Sequence, residues 1–147
     1  MEQQVLSITQ LNEYIRGRMD ADPLLNTVAV RGEISNYKQY PSGHHYFTLK
    51  DETSALRCVM FKGNAMRLRF RPENGMKVIA VGKVSVYPRD GAYQLYCVSL
   101  TVDGVGDLYV AFEQLKKKLA AQGLFDPAHK KPLPKYPGRI GIITSSA

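Results

Sequence analysis

The chain has 147 residues, of which 20 are Lys or Arg and 13 are Asp or Glu, so its formal net charge is +7. This length accommodates one ordinary domain and the beginning of another, and it excludes two domains of typical size. Hydrophobic residues make up 44% of the chain, enough for a packed core. The positive excess is shared by residues 1–103 and residues 104–147, which excludes a single basic tail and predicts a folded protein with a polyanionic partner such as nucleic acid.

The N-terminal residues and the cysteines indicate the cellular compartment of the protein. No apolar run approaches the roughly 20 residues that span a bilayer, and residues 1–10 do not have the pattern of a signal peptide. We therefore expect a cytoplasmic protein with no membrane partner. Cys58 and Cys97 are predicted to be buried, reduced thiols. Together with only three histidines, at 44, 45 and 129, they form no spacing that resembles a zinc site, so no metal site is predicted.

The first two-thirds of the chain reads as one helix followed by β-structure. Helical spacing of Leu11, Ile15 and Met19 predicts a helix over Gln10–Ala21, which Asp22-Pro23 ends. A second, short helix is predicted over Gly63–Phe70, and Pro88-Arg89-Asp90-Gly91 predicts a hairpin connection. Gly32 predicts a bulge or bend. The five predicted strands are Thr27–Asn36, His44–Asp51, Ala55–Lys62, Met76–Tyr87 and Tyr93–Val102.

The order of three strands, a helix and two strands is that of a small Greek-key barrel of the oligonucleotide/oligosaccharide-binding (OB) type. SH3-like barrels also have five strands, but they lack a real helix between the third and fourth. The fold class predicted for residues 1–103 is therefore mainly β, a five-stranded OB barrel with flanking helices, which binds ligand across its second and third strands and the neighbouring loops.

The pattern changes after Gly104. Leu108, Phe112, Leu115 and Leu119 recur at helical spacing, with Gly123 placed to end the helix. A proline-rich connector follows, and then the apolar run Arg139–Ser146, which is typical of a buried parallel strand. Residues 104–147 are thus expected to be a linker helix, a connector and the first strand of a second, α/β domain, which makes the chain part of a longer protein.

Candidate binding residues lie on the second and third strands. Alternation along the third strand predicts Leu56, Cys58 and Met60 in the core, which leaves Arg57, Val59 and Phe61 on the opposite face. The same argument places Tyr46, Thr48 and Lys50 outward on the second strand. An aromatic side chain beside cations suits base stacking next to a phosphate track. The alternative is that Phe61 packs beneath a loop. The face that binds nucleic acid is predicted to include Tyr46, Lys50, Arg57 and Phe61, with Lys62 next to Phe61.

Two loops add further candidates. The loop after the first strand contains Lys38, Tyr40 and His44, and the hairpin contains Arg89. Loops in these positions bind ligand in OB barrels, although solvated loops rich in Tyr and Lys are also common. The basic run Lys62, Arg67, Arg69 and Arg71 has two interpretations, a DNA contact or a merely solvated helix face.

No catalytic site is predicted. The adjacent carboxylates Asp51 and Glu52 fall at a turn, where such residues are routine, and His44-His45 lacks a third ligand or a carboxylate. Ser145-Ser146 follows a strand, but no glycine-rich phosphate loop precedes it. These residues by themselves are not expected to catalyse a reaction, and no cofactor is predicted for them.

Several motifs together resemble one family. They are GEIS at Gly32, GHHYFTLKDE from Gly43, VMF at Val59, YQL at Tyr93, FEQLKKKLAAQGLFD from Phe112, KKPLP from Lys130 and IGIITSSA from Ile140. In this order, and over nearly the whole chain, they resemble the large subunit of bacterial exodeoxyribonuclease VII. His45 is one departure, because the family often has another aromatic or apolar residue there.

The resemblance implies an N-terminal OB-fold that holds single-stranded DNA, followed by a nuclease domain and a helical region that gathers small subunits. It implies DNA contact at Phe61 and Lys62, nuclease residues beyond Ala147, and a divalent metal such as magnesium for the whole enzyme, which degrades single-stranded DNA to oligonucleotides. Two other hypotheses remain at this stage. One is an OB module that binds tRNA or other RNA for a larger enzyme, and the other is a protein-docking barrel.

Overall fold

A computed structural model describes residues 5–104 and 106–144, without the side chain of Asp107. Within these residues the predicted order of three strands, a helix and two strands is confirmed. Two compact units divide the chain, Met1–Gln114 and Leu115–Ala147. The helices are α1 (Ile8–Asp20), α2 (Pro23–Asn26), α3 (Lys62–Ala65) and α4 (Asp107–Ala121), and the strands are β1 (Val28–Gln39), β2 (His45–Lys50), β3 (Ala55–Met60), β4 (Lys77–Tyr87) and β5 (Ala92–Val102).

The five strands form a closed barrel in the order β1-β2-β3-β5-β4. All neighbouring pairs are antiparallel except β3 and β5, whose parallel pairing closes the barrel. The long strand β1 pairs with β4 through Val28–Glu33 and with β2 through Glu33–Gln39. A strand shared between two neighbours in this way must bend, and it joins the two halves of the barrel.

The sequence predicts a bulge or bend at Gly32. The bulge lies instead between Ser35 and Lys38, where the β1–β2 register shifts, and β1 changes partner from β4 to β2 at Glu33, next to Gly32. Gly32 has a different role, because a Cβ atom there would lie 3.1 Å from the Lys50 carbonyl oxygen. Gly82 on β4 is tighter still, since its Cβ atom would overlap the Tyr96 carbonyl oxygen of β5. These two glycines allow the backbones of adjacent strands to approach closely.

The barrel interior contains the alternating residues predicted to face inward. Phe47 and Leu49 on β2, and Cys58 and Met60 on β3, are at most 4% exposed and belong to one apolar cluster. Both cysteines are free and buried, as predicted, and burial raises the pKa of each thiol to about 12. The core is therefore assembled as alternation predicts, with inner faces contributed by every strand.

Helix α1 begins two residues earlier than predicted because Ser7 forms a capping box with Gln10. Asp22-Pro23 ends it as expected and also begins α2, since Asp22 accepts a hydrogen bond from the Leu24 backbone N–H. At the C-terminal end of α1 the Asp20 carboxylate contacts Lys83 Nζ at 2.9 Å and accepts a hydrogen bond from Ser85 Oγ at 2.7 Å. These contacts fix α1 against the outer face of β4.

The helix predicted over Gly63–Phe70 is shorter, with a single turn at Lys62–Ala65. Beyond it the backbone continues in tight turns, with Arg67 N–H bonded to Asn64 and Leu68 N–H bonded to Ala65. Leu68 packs against the core and Phe70 is only 5% exposed. The burial of these apolar side chains determines the path of the segment, which overrides its helical propensity.

The helix predicted after Gly104 is confirmed as α4, and Gly123 (φ 74°) ends it with its N–H bonded to the Ala120 carbonyl. The strand predicted at Arg139–Ser146 is not present through residues 139–144, where Ile140 and Ile142 are exposed. A parallel strand needs a neighbour for its hydrogen bonds, and no described strand pairs with this segment. Ser145 and Ser146 lie outside the described residues. Among the described helices, none combines the length and hydropathy needed to cross a bilayer.

Candidate nucleic-acid interface

Outward side chains of β2, β3 and β5 form three rows, each of which runs across the strands and contains residues that lie opposite one another. Strand register places Thr48 opposite Arg57, with Gln94 of β5 continuing this first row. The second row contains Tyr46, Val59 and Tyr96, and the third contains His44 and Phe61, which flank the ends of β2 and β3. The predicted outward residues of β2 and β3 therefore share one face with part of β5.

Val59 lies on this outer face, as alternation predicts, but it is not solvent-exposed. It pairs with Tyr46 on one side and Tyr96 on the other, and only 2% of its surface is accessible. It does not belong to the apolar cluster inside the barrel. Val59 thus forms an apolar floor between two tyrosines.

The aromatic side chains of the second and third rows contact one another. Tyr40 lies edge-on to Tyr46 with ring centroids 5.1 Å apart, and His44 lies edge-on to Phe61 at 5.3 Å. Phe61 and Tyr96 are 6.1 Å apart and inclined by 31°. About half of the Phe61 and Tyr40 surfaces remains exposed, 47% and 49%. We call Tyr40, His44, Tyr46, Phe61 and Tyr96 the aromatic platform.

Phe61 is held in place by the connection between β3 and α3. Its carbonyl accepts hydrogen bonds from the backbone N–H groups of Asn64 and Ala65, which makes it the residue that begins the helical turn. The Lys62 backbone N–H donates to His44 Nδ1 at 3.0 Å, so this ring nitrogen is the acceptor. Gly43 (φ 82°) lies directly against the Lys62 stem, where a Cβ atom would be 2.9 Å from Cγ. The β1–β2 loop and the start of α3 therefore position His44 and Phe61 together.

Cations surround the platform. Lys38 pairs with Tyr46 across β1 and β2, Arg57 lies in the first row, and Lys62 directly follows Phe61; all three are exposed. Lys50, which also faces outward on β2, lies at the far end of that strand in an ion pair with Glu33 at 3.1 Å. Exposed aromatic rings with flanking cations can stack bases and contact phosphates at once.

The hairpin between β4 and β5 lies beside the first row. Arg89 is exposed at its tip, while Tyr87 and Asp90 line a groove of about 380 Å³ over the first row. Asn36, Tyr46, Thr48, Arg57 and Gln94 line the groove from the strands. Sequence reasoning missed Tyr96, Gln94 and Asp90. Alternation on β5 puts Tyr96 outward, but only the β3–β5 pairing shows that it lies beside Val59.

His45 and Tyr37 lie away from the aromatic platform. Tyr37 Oη and His45 Nδ1 are 3.1 Å apart, and the two rings meet edge to face at 5.5 Å. Burial lowers the pKa of His45 and raises the pKa of Tyr37. His45, the residue that departs from the resembled family, is therefore an inward, neutral side chain at one end of the barrel.

The charged residues after β3 do not form one helix face, because α3 ends at Ala65. Arg71 is bonded through its backbone N–H and carbonyl to the Gln114 side chain, at 3.0 and 2.8 Å. With Lys62 and Met66 it lines a second groove, at the end of the barrel near Tyr37. Among the described residues, no group of three or more His, Cys, Asp or Glu side chains is arranged to hold a metal ion.

The closed five-stranded barrel with a basic, aromatic outer face defines a class of nucleic-acid-binding module. Residues 6–101 match the family model described as an OB-fold nucleic acid binding domain, and the chain belongs to that family. The predicted fold class is thereby confirmed.

Curated relatives specify the kind of protein further. The chain is 56% identical over 142 residues to the exodeoxyribonuclease 7 large subunit of Ruminiclostridium cellulolyticum, a match that covers 97% of this chain and 35% of the relative. It is 55% identical over 141 residues to the exodeoxyribonuclease 7 large subunit of Clostridium acetobutylicum, covering 96% and 35%. The resemblance seen in the motifs is confirmed, and the chain spans about a third of the length of these relatives.

Similarity to solved structures is lower. A chain in the structure of a replication protein A heterotrimer bound to single-stranded DNA is 11% identical, with a TM-score of 0.45. The match covers 68% of this chain and 75% of that chain.

Proposed function

We propose that this chain is the single-stranded-DNA-binding part of an exodeoxyribonuclease VII large subunit, and that its barrel captures a strand for hydrolysis to oligonucleotides. The main observation in support of this proposal is the aromatic platform. Its rings leave stacking surface open, and Lys38, Arg57 and Lys62 lie around it where the phosphates of an extended strand would pass. Family membership and the names of the curated relatives support it.

We propose that the barrel binds the DNA strand and that other parts of the enzyme catalyse its hydrolysis. The curated relatives are about three times as long as this chain. We infer that their remaining length holds the nuclease residues, any divalent metal that hydrolysis requires, and the contacts with small subunits. A cytoplasmic location is part of the same proposal.

Salt-dependent binding tests this function. Fluorescence anisotropy would be measured with a labelled oligo(dT) strand, the corresponding duplex and an RNA strand of matched length, at 50 and 200 mM salt. We expect the DNA single strand to bind best, and to bind roughly tenfold or more weakly at the higher salt, because bound phosphates release counterions from the strand. Equal affinity for duplex, or preference for RNA, would contradict the proposal.

A charge variant tests the position of the phosphate track. Lys62→Ala should reduce the slope of log affinity against log salt by about 0.7, the value expected for one phosphate contact on a single strand. Lys77→Ala is the matched control, because Lys77 is an exposed lysine at the start of β4, where it pairs with Glu33. Equal slope changes for the two variants would show that only net charge matters.

A further inference from the structure

The groove between the first row and the β4–β5 hairpin has a composition different from the aromatic platform beside it. Tyr46, Tyr87 and the buried residues Phe47 and Cys58 contribute part of the lining. The other lining residues are polar: Asn36, Thr48, Arg57, Asp90 and Gln94. Its volume of about 380 Å³ is within the range of sites that enclose small organic groups. A strand whose bases stack on the platform would bring the neighbouring base to this groove.

The geometry points to a base-reading subsite: the groove binds one nucleobase by its hydrogen-bonding edge, with Asp90 accepting from an exocyclic amino group, so cytosine is preferred over thymine. This inference rests on the proposed function, since it needs a bound DNA strand. It adds selectivity for amino-bearing bases, which stacking alone would not provide, because every base has a π-face.

Hydrogen-bonding groups in the groove are available to a ligand. Among the described residues, the side chains of Asn36, Asp90 and Gln94 form no hydrogen bond or ion pair with another part of the protein. Arg57 lines the same groove, and it is not ion-paired with Asp90 or with another described carboxylate. The groove thus offers a carboxylate acceptor, a guanidinium donor and two amides.

Hydrogen bonds hold the backbone of the hairpin at Asp90. The backbone N–H groups of Asp90 and Gly91 both donate to the Tyr87 carbonyl, at 3.2 and 3.0 Å. Helix α1 supports the turn from outside, where Asn12 Nδ2 donates to the Pro88 carbonyl at 3.0 Å. The ordered turn keeps the Asp90 side chain beside the groove that it lines.

The charge of Asp90 disfavours a phosphate at the hairpin wall of the groove. A carboxylate repels phosphate, so Asp90 disfavours the backbone there, while Lys38 and Lys62 lie beside the platform. Cytosine presents the N4 amino group to a carboxylate, and its N3 and O2 atoms can accept from the side-chain amides of Asn36 or Gln94. Thymine presents a carbonyl oxygen at position 4, which a carboxylate repels. A comparison of cytosine with thymine tests the subsite directly, because the two rings are similar in size but differ in the hydrogen-bonding groups that face Asp90.

The test compares oligo(dT) with the same strand in which alternate thymines are replaced by cytosines, using anisotropy at low salt and the full 147-residue chain. We expect about 5-fold tighter binding of the cytosine-containing strand, the contribution of one charge-assisted hydrogen bond in a partly exposed site. Asp90→Asn should tighten binding of both strands and reduce the ratio to about 1, since an amide both donates and accepts. Glu52→Gln removes the same charge outside this groove, and should leave the ratio unchanged.

The outcomes separate this inference from the function on which it rests. Salt-sensitive binding of oligo(dT) with equal affinity for the two strands would overturn the base-reading subsite and leave single-strand binding intact. Equal loss of the preference in Asp90→Asn and Glu52→Gln would also overturn it, because long-range charge would then explain the effect. Failure of both strands to bind at low salt would reject the proposed function itself.

Discussion

Phe61 shows what a single residue contributes when its neighbours fix its position. Alternation on β3 places it outward, and the structure leaves 47% of it exposed rather than packed beneath a loop. His44 forms a T-shaped contact with its ring at 5.3 Å and Tyr96 lies 6.1 Å away, so two neighbouring rings support it. The remaining surface is available to a base.

Replacement of this ring is the most direct test at the residue scale. Phe61→Ala should weaken single-strand binding by about 1 to 3 kcal/mol, which is the contribution of one base–aromatic stack, while the melting temperature changes little. Anisotropy and thermal unfolding would be measured on the same preparation.

The control variants for Phe61 separate stacking from packing. Phe125→Ala removes a phenylalanine that is 53% exposed and lies outside the barrel, so it should change neither quantity. Phe47→Ala removes a core ring and should cost about 3 to 5 kcal/mol of stability. If Phe61→Ala lost as much stability as Phe47→Ala, Phe61 would be a packing residue and the stacking role would be contradicted.

At the scale of elements, the contact between α1 and β4 stabilises the surroundings of the interface. Asp20 connects them through Ser85 and Lys83, and Asn12 connects α1 to the hairpin that contains Asp90. The hydrogen bond from Ser85, followed by the contact with Lys83, holds the pKa of Asp20 below its ordinary value of 3.8. The ionised carboxylate is therefore the form that stabilises the fold.

The sign of the pH dependence follows from this lowered pKa. Asp20→Asn should cost about 1 kcal/mol at pH 7, because Ser85 is 4% exposed and its hydroxyl loses a charged acceptor. The contribution of Asp20 is fully present above its unfolded pKa and is lost as the pH falls through the lower folded pKa. The stability difference between the two proteins should thus narrow below about pH 4, as urea unfolding at several pH values would measure.

A second α1 variant provides the reference for Asp20. Glu13→Gln also removes one negative charge from α1, but Glu13 forms only an exposed pair with Arg16 at 3.8 Å. Its effect on stability should be small. A pH-independent effect of Asp20→Asn, or one no larger than that of Glu13→Gln, would contradict the role assigned to this contact.

At the scale of the whole molecule, barrel closure determines what is hidden from solvent. Cys58 on β3 and Cys97 on β5 lie on the two strands whose parallel pairing completes the barrel. They are 3% and 2% exposed, and the pKa of each thiol is raised to about 12. Neither thiol can ionise appreciably at pH 8 while the barrel is closed.

Thiol labelling at pH 8 should therefore report opening of the barrel. Because the thiolate is the reactive form, we expect both cysteines to be labelled together, and only in the urea range where circular dichroism shows loss of structure. Mass spectrometry after brief alkylation measures each site. Glu52→Cys supplies an exposed thiol that should react at every urea concentration. Labelling of Cys58 or Cys97 in the native protein at the rate of this exposed thiol would contradict a closed barrel.

The sequence by itself determined the order of the elements and the inner and outer faces of β2 and β3. Hydrophobic alternation is a local signal, and Phe47, Cys58 and Met60 are buried where it predicts. It also predicted the outward positions of Tyr46, Arg57 and Phe61. The same local signals overestimated α3, because the burial of Phe70 is a tertiary effect.

Only the tertiary structure decided which outward residues meet. Tyr96 and Gln94 are more than thirty positions from Phe61 and Arg57 in the sequence, and they join the interface because β5 pairs in parallel with β3. The hairpin likewise brings Asp90, and not Arg89, to the groove. Alternation within a strand predicts which of its side chains face the core. A sheet face, however, is built from several strands, and which strands pair depends on contacts between residues distant along the chain.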